Sequence, residues 1–195
     1  NRQESLASMN GIESGGAHNA LFDANLTKLV LEKIYKEQNI TWRSAMMTGS
    51  REEVENFSRN ELMFSLNEYF YGKSKLYLVT PLYHEHMLHP IYKWVQAFDL
   101  RFDPKIYFDL PLDELKTEIK KTTKFIRTIR SNKAPVLLHS DYASKVEPYS
   151  VMTKEQLSER AKLIKGNKDF CARVSLALAE IAHEKRDTGD QSDIT

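Results

Sequence analysis

Apolar positions along the chain change their period twice. After a polar, glycine-rich opening, "NRQESLASMNGIESGGAHN", which holds only a short Leu6–Met9 element, Phe22, Leu26, Leu29, Val30 and Ile34 recur at helical steps. Such spacing predicts one amphipathic helix with a single apolar stripe. A stripe of this width cannot be buried by the helix alone. Residues 38–60, "QNITWRSAMMTGSREEVENFSRN", read as a short helical piece followed by a charged linker.

From residue 62 the period shortens to that of strands. "LMFSL", "KLYLVTPLY", "IYKWVQAFDL" and "KIYFDL" are rich in aromatic and β-branched residues and are punctuated by Gly72, Pro81, Pro90 and Pro104. "LPLDELKTEIKK" predicts a short helix with Asp113 and Glu114 in its first turn. "TTKFIRTIRSNKAPVLL" fits a helix or a strand, its β-branched residues favouring strand, with "SNKAP" as the turn into a last short strand. "TKEQ" at 153–156 is a capping box opening a helix that ends near Gly166. "DFCARVSLALAEIAHE" predicts a second helix, and the tail from Lys185 is polar and expected to fray. The expected fold class is α+β: an orphan helix, a small antiparallel β-barrel and a closing helical pair.

Composition narrows this picture only slightly. With 195 residues, 41% hydrophobic and 28% charged, the chain can bury a real core. A net charge of +1 gives no global argument for nucleic acid, so any such argument rests on local patches. Cys171 is the one cysteine, which excludes an internal disulfide framework and suits a reducing compartment. No apolar run approaches the ~18 residues of a membrane span, and a cytoplasmic location without membrane contact is expected.

Three groups of residues could carry chemistry. The first is His18-x-Ala20-x-x-Asp23, on "GGAHNALFD". On one helix a five-residue step turns side chains about 140° apart. The two converge only if His18 lies on the glycine-rich loop and Asp23 on the helix, with Asn19 as its N-cap. The second is "NEYFYGKSKLY", where Tyr69, Phe70 and Tyr71 precede Lys73 and Lys75, a mixture of aromatic faces and cations suited to single-stranded nucleic acid. Lys124, Arg127 and Arg130, in the run from Lys120 to Lys133, either contact phosphate or form a solvated strand face. The third is His84, His86 and His89, a conceivable metal cluster that lacks a fourth ligand and reads equally as a polar inter-strand loop.

"LASMNGIESGGAHNALFDANLTKLVLEKI" resembles the third catalytic motif of the proofreading-type 3′→5′ exonuclease superfamily and, more narrowly, of bacterial exonuclease I. "YLVTPLYH", "WVQAFDL", "LPLDELKTEI", "FIRTIRSNKAPVLLHSDY" and "MTKEQLSERAKLIKGNKDFCARV" follow in the order of that family's second, SH3-like domain. The resemblance implies the terminal helical part of a ribonuclease H-like exonuclease domain (1–47), an SH3-like β-barrel (48–150), a closing helical pair (151–186) and a flexible tail (187–195). It implies Mg²⁺-dependent removal of nucleotides from single-stranded DNA in DNA repair. His18 is then the general base for the attacking water, and Asp23 a ligand in a two-metal site.

The departure from the family pattern is as informative. Its first two carboxylates form a D-x-E pair on an early strand, yet only Glu4 and Glu13 are acidic before His18. Asn19 also replaces a frequent aspartate. One carboxylate cannot hold Mg²⁺ usefully. A truncated or cleaved enzyme is therefore expected, inert alone, whose first helix meets the missing part of the exonuclease domain or another chain. The rival readings are a non-catalytic single-stranded-DNA-binding module and an SH3-like protein-interaction domain.

Overall fold

The computed structural model describes residues 2–13, 19–37, 48–70 and 72–187. Two compact units divide the chain, Asn1–Met46 and Met47–Thr195. The helical piece expected within residues 38–47 and the tail from residue 188 lie outside the described residues.

In the first unit, α1 (Arg2–Met9) extends further back than the Leu6–Met9 element. It ends at Gly11, whose φ of 67° lets Ile12 N–H reach the Ala7 carbonyl (2.9 Å) and Gly11 N–H the Ser8 carbonyl (3.0 Å). The second helix, α2 (Ala20–Glu37), opens where Asn19 Oδ1 accepts from Leu21 N–H at 3.0 Å. The expected stripe divides. Phe22, Leu26, Val30 and Ile34, four residues apart, pack with Ala7 and Ile12, whereas Leu29 is 47% exposed. A spacing of four keeps those residues in line, and Leu29 falls beside that line.

The second unit begins with a correction. "SREEVENFSRN" was expected as charged linker but forms α3 (Arg51–Asn60). Ser50 and Glu53 make a reciprocal capping box, and Val54 and Ser58 are buried beneath the charged surface. Five antiparallel strands follow: β1 (Phe64–Phe70), β2 (Lys73–Pro81), β3 (Val95–Asp99), β4 (Ile126–Ile129) and β5 (Val136–His139). Their order is β4-β3-β2-β1-β5, with Phe70 opposite Lys73 at the first hairpin and Gly72 (φ 80°) in its turn. The expected barrel is not closed. Among the described residues β4 and β5 remain the two edges of an open sheet.

"KIYFDL" is the second correction, since it forms the short helix α4 (Lys105–Phe108) rather than a strand. Asp103 Oδ1 accepts from Lys105 N–H at 3.0 Å and Pro104 presets the first turn, so the local signal for helix outweighs the aromatic content. The remaining α-helices among the described residues are α5 (Leu112–Lys120), α6 (Ser140–Ser144), α7 (Lys154–Gly166) and α8 (Lys168–Asp187). The capping box at Thr153 and Gln156 opens α7 as the sequence indicates. Both sheet faces are covered. Phe64, Leu66, Val79, Val95, Ala97 and Ile129 pack with Val54 of α3, while Leu78, Phe98 and Ile126 pack with α7 and α8 through Leu157, Ile164, Phe170 and Val174. Double coverage explains why β3 is buried along its whole length instead of alternating.

Candidate functional site

The β1–β2 hairpin carries exposed aromatic and basic groups. Antiparallel register sets Glu68 opposite Lys75 and Tyr69 opposite Ser74. Lys73 and Lys75 therefore share one face of the ribbon and Tyr69 lies on the other. Tyr69 is 64% exposed, and Lys73 and Lys75 are exposed. Ser74 Oγ donates to Asn67 Oδ1 at 2.5 Å, tying the two strands near the tip. Tyr71 and the side chain of Phe70 lie outside the described residues.

Behind the tip sits an ionic network. The Arg127 guanidinium lies 3.3 Å from the Tyr77 ring centroid, with Nε donating to Asp99 Oδ2 (3.2 Å) and Nη1 near Glu68 Oε2 (3.4 Å). Asp99 is fully buried and also accepts from Tyr149 Oη–H (2.7 Å), Arg101 N–H (3.1 Å) and Arg101 Nη2 (3.2 Å). Burial pushes the Glu68 carboxyl up, while Arg127, Lys124 and Lys75 pull it back down. Arg127, expected as a phosphate contact, is thus spent inside the fold. Lys124 is exposed just before β4. Arg130, just after β4, lies over the Trp94 ring, 5.2 Å from its centroid.

In the first unit, Asp23 occupies the first turn of α2, where the positive end of the helix dipole favours a carboxylate. Its N–H donates to the Asn19 carbonyl at 2.9 Å and its own carbonyl accepts from Thr27 Oγ1 at 2.8 Å. His18 lies outside the described residues. Asp23 offers a single carboxylate, and among the described residues no group of three His, Cys, Asp or Glu could hold a metal ion. The described residues therefore do not by themselves fit a divalent cation.

The same holds for His84, His86 and His89. His84 contacts Arg59 Nη1, and His86 Nε2 is buried without a hydrogen-bond partner. His89 Nδ1 accepts from the Ile91 and Tyr92 N–H groups at 3.1 and 3.3 Å. Sequence reasoning also missed Tyr92 and Trp94. "IYKWVQAFDL" becomes a strand only at Val95, and the two aromatics before it stand on the preceding loop, stacked 4.9 Å apart. Pro90 ahead of two closely spaced aromatics was the available signal. Among the described residues no helix is long and apolar enough to cross a membrane.

No protein-family model and no curated protein matches the sequence. Solved structures do. Exonuclease I from Methylocaldum szegediense superposes with a TM-score of 0.67 at 19% identity over 91% of this chain. E. coli exonuclease I in complex with a dA16 oligonucleotide gives 0.63 at 18% identity, again over 91% of this chain. This chain has an exonuclease I fold. The family resemblance carried by the motifs is borne out at that level, although the chain spans only 40% of the length of either exonuclease I structure. An ExoI/SSB-Ct complex matches over 91% of this chain and 40% of its own, with a TM-score of 0.61 at 17% identity.

Proposed function

We propose that this chain is part of a metal-dependent 3′→5′ exodeoxyribonuclease acting on single-stranded DNA. The observation that carries the reading is an exposed aromatic and basic hairpin, Tyr69 with Lys73 and Lys75, on an exonuclease I fold. The sheet unit is the counterpart of the family's SH3-like domain, and α1 with α2 closes its exonuclease domain. At the hairpin the two ammonium groups attract phosphates while the Tyr69 ring offers a stacking face. Lys124 extends the basic surface. That E. coli exonuclease I has been solved with dT13 and dA16 oligonucleotides supports this choice of ligand.

His18 is the general base of the assignment, a neutral imidazole suited to taking a proton from water near pH 7. Asp23 is one ligand of a cation site, Mg²⁺ by the family pattern, whose other oxygen donors the described residues do not supply. The 195-residue polypeptide is accordingly expected to hold DNA without cutting it.

Anisotropy of fluorescein-labelled dT16, read across a salt series in EDTA and again in Mg²⁺, tests both statements. The expected result is salt-sensitive binding, with the log–log slope falling by about 1.4 in Lys73→Gln/Lys75→Gln, since each lost single-strand phosphate contact removes about 0.7. No binding at 50 mM salt would overturn the DNA reading. Mg²⁺-dependent shortening of the oligonucleotide, abolished by His18→Ala, would instead overturn the claim that one carboxylate is insufficient.

A further inference from the structure

Glu68 is a carboxylate set among cations. It stands on β1 directly opposite Lys75 of β2, and β5 ends at Val136, opposite Asn67, so Glu68 has a pairing strand on one side only. From β4, Arg127 reaches it across two intervening strands. Ala97, opposite Arg127 on β3, leaves room for the guanidinium to pass, and the Tyr77 ring on β2 supports it. Arg127 Nη1 then meets Glu68 Oε2 at 3.4 Å, while its Nε donates to Asp99 Oδ2 at 3.2 Å.

The two carboxylates that share Arg127 are unequal. Asp99 is fully buried and is also served by Arg101 and Tyr149. Glu68 keeps 24% of its side chain exposed, and this long ion pair is the one it makes among the described residues. Arg127 therefore stays anchored by Asp99 if the Glu68 charge is lost, and the ion pair adds little to the fold. The surface in front of Glu68 is different. Lys73, Lys75 and Lys124 are exposed, and none has a carboxylate within ion-pairing distance among the described residues. Glu68 lowers the positive potential there.

We infer that Glu68 is a built-in brake on this cationic face: its carboxylate competes with nucleic-acid phosphates for the field of Lys75, Lys124 and Arg127, and the hairpin holds a single strand more tightly when that charge is absent. The inference rests on the single-stranded-DNA reading above and concerns regulation of that site. It carries a pH dependence. Glu68 faces Lys75 on β2, Asp99 on β3, Arg127 on β4 and Lys124 just before β4. Burial first, and Asp99 with it, raise the carboxyl above 4.5 against the pull of the three cations. A phosphate brought to Lys75 adds negative charge and pushes the same way, so binding takes up a proton as pH falls toward the Glu68 pKa.

Anisotropy of labelled dT16 on the wild type, Glu68→Gln and Glu68→Asp at 50 mM salt and pH 7.5, 6.5 and 5.5 tests this. Glu68→Gln keeps an oxygen for Arg127 and loses the charge. It should bind about fivefold tighter at pH 7.5, the effect of one unit charge about 8 Å from a phosphate at an effective dielectric of about 40. That advantage should shrink at pH 5.5 and at 300 mM salt, where the wild-type carboxyl is neutralised or screened. Glu68→Asp keeps the charge and should bind like the wild type. In the wild type, the Glu68 carboxyl titration followed by ¹³C NMR should move to higher pH when dT16 binds, a readout that needs no variant. If dT16 binds but Glu68→Gln binds no tighter, or Glu68→Asp gains as much, or the carboxyl titration does not move, the brake is refuted while the hairpin reading stands. If dT16 does not bind the unaltered chain, both fall together.

Discussion

His89 should make the sheet unit acid-sensitive in a window where most proteins are at their most stable. The imidazole is 5% exposed and its Nδ1 accepts two backbone N–H groups. Protonation would set a third N–H against those two donors. Burial, with the Lys93 charge adding to it, lowers its pKa from 6.5 to about 4. The unfolded chain thus binds a proton below pH 6.5 that the folded chain refuses until about pH 4. The associated stability is complete above 6.5 and is lost as pH falls toward 4. Linkage gives a loss of about 2 kcal/mol between pH 7 and pH 5, a large part of a typical margin of ~5–15 kcal/mol. Urea unfolding of the wild type and His89→Asn at pH 7, 6 and 5 would measure it. The wild type should lose about 2 kcal/mol more than the variant across that range. Parallel curves within ~0.5 kcal/mol would refute the argument. So would a folded-state His89 titration near 6.5 by NMR, a readout that does not require the variant to fold.

Two further outcomes follow from the packing. Tyr149→Phe keeps the buried ring but removes the hydroxyl donated to the buried Asp99 carboxylate, and should cost about 2 kcal/mol, lowering the thermal midpoint by about 5 °C. An unchanged midpoint by calorimetry would mean that Arg101 and Arg127 satisfy Asp99 without it. Ser50→Ala removes one half of the α3 capping box and should cost about 1 kcal/mol in urea unfolding with no change in m-value.

Signals contained within one or two helical turns were legible from the sequence. Thr153 and Gln156 are three residues apart and satisfy each other's backbone, so the start of α7 could be read directly. Asn19 before Ala20 marked the start of α2 for the same reason. The same box at Ser50 and Glu53 was present, but the many charges around it suggested a linker, because the exposed face of α3 outnumbers Val54 and Ser58. On "KIYFDL", aromatic content and the Asp103–Pro104 signal pointed in opposite directions, and the latter prevailed.

The candidate site was legible only as residue types. Tyr69, Lys73 and Lys75 could be read because a hairpin brings near neighbours in sequence together. Arg127 could not be assigned from its own segment. Its partners Tyr77, Glu68 and Asp99 lie on three other strands, and a lone arginine on a half-buried strand reads the same whether it meets phosphate or carboxylate. Whether Arg130 and Arg186 meet Trp94 and Tyr92 likewise depends on groups 36 or more residues apart. Local hydrogen bonds choose an element; which charges remain for a ligand is decided only once the distant partners have been packed against them.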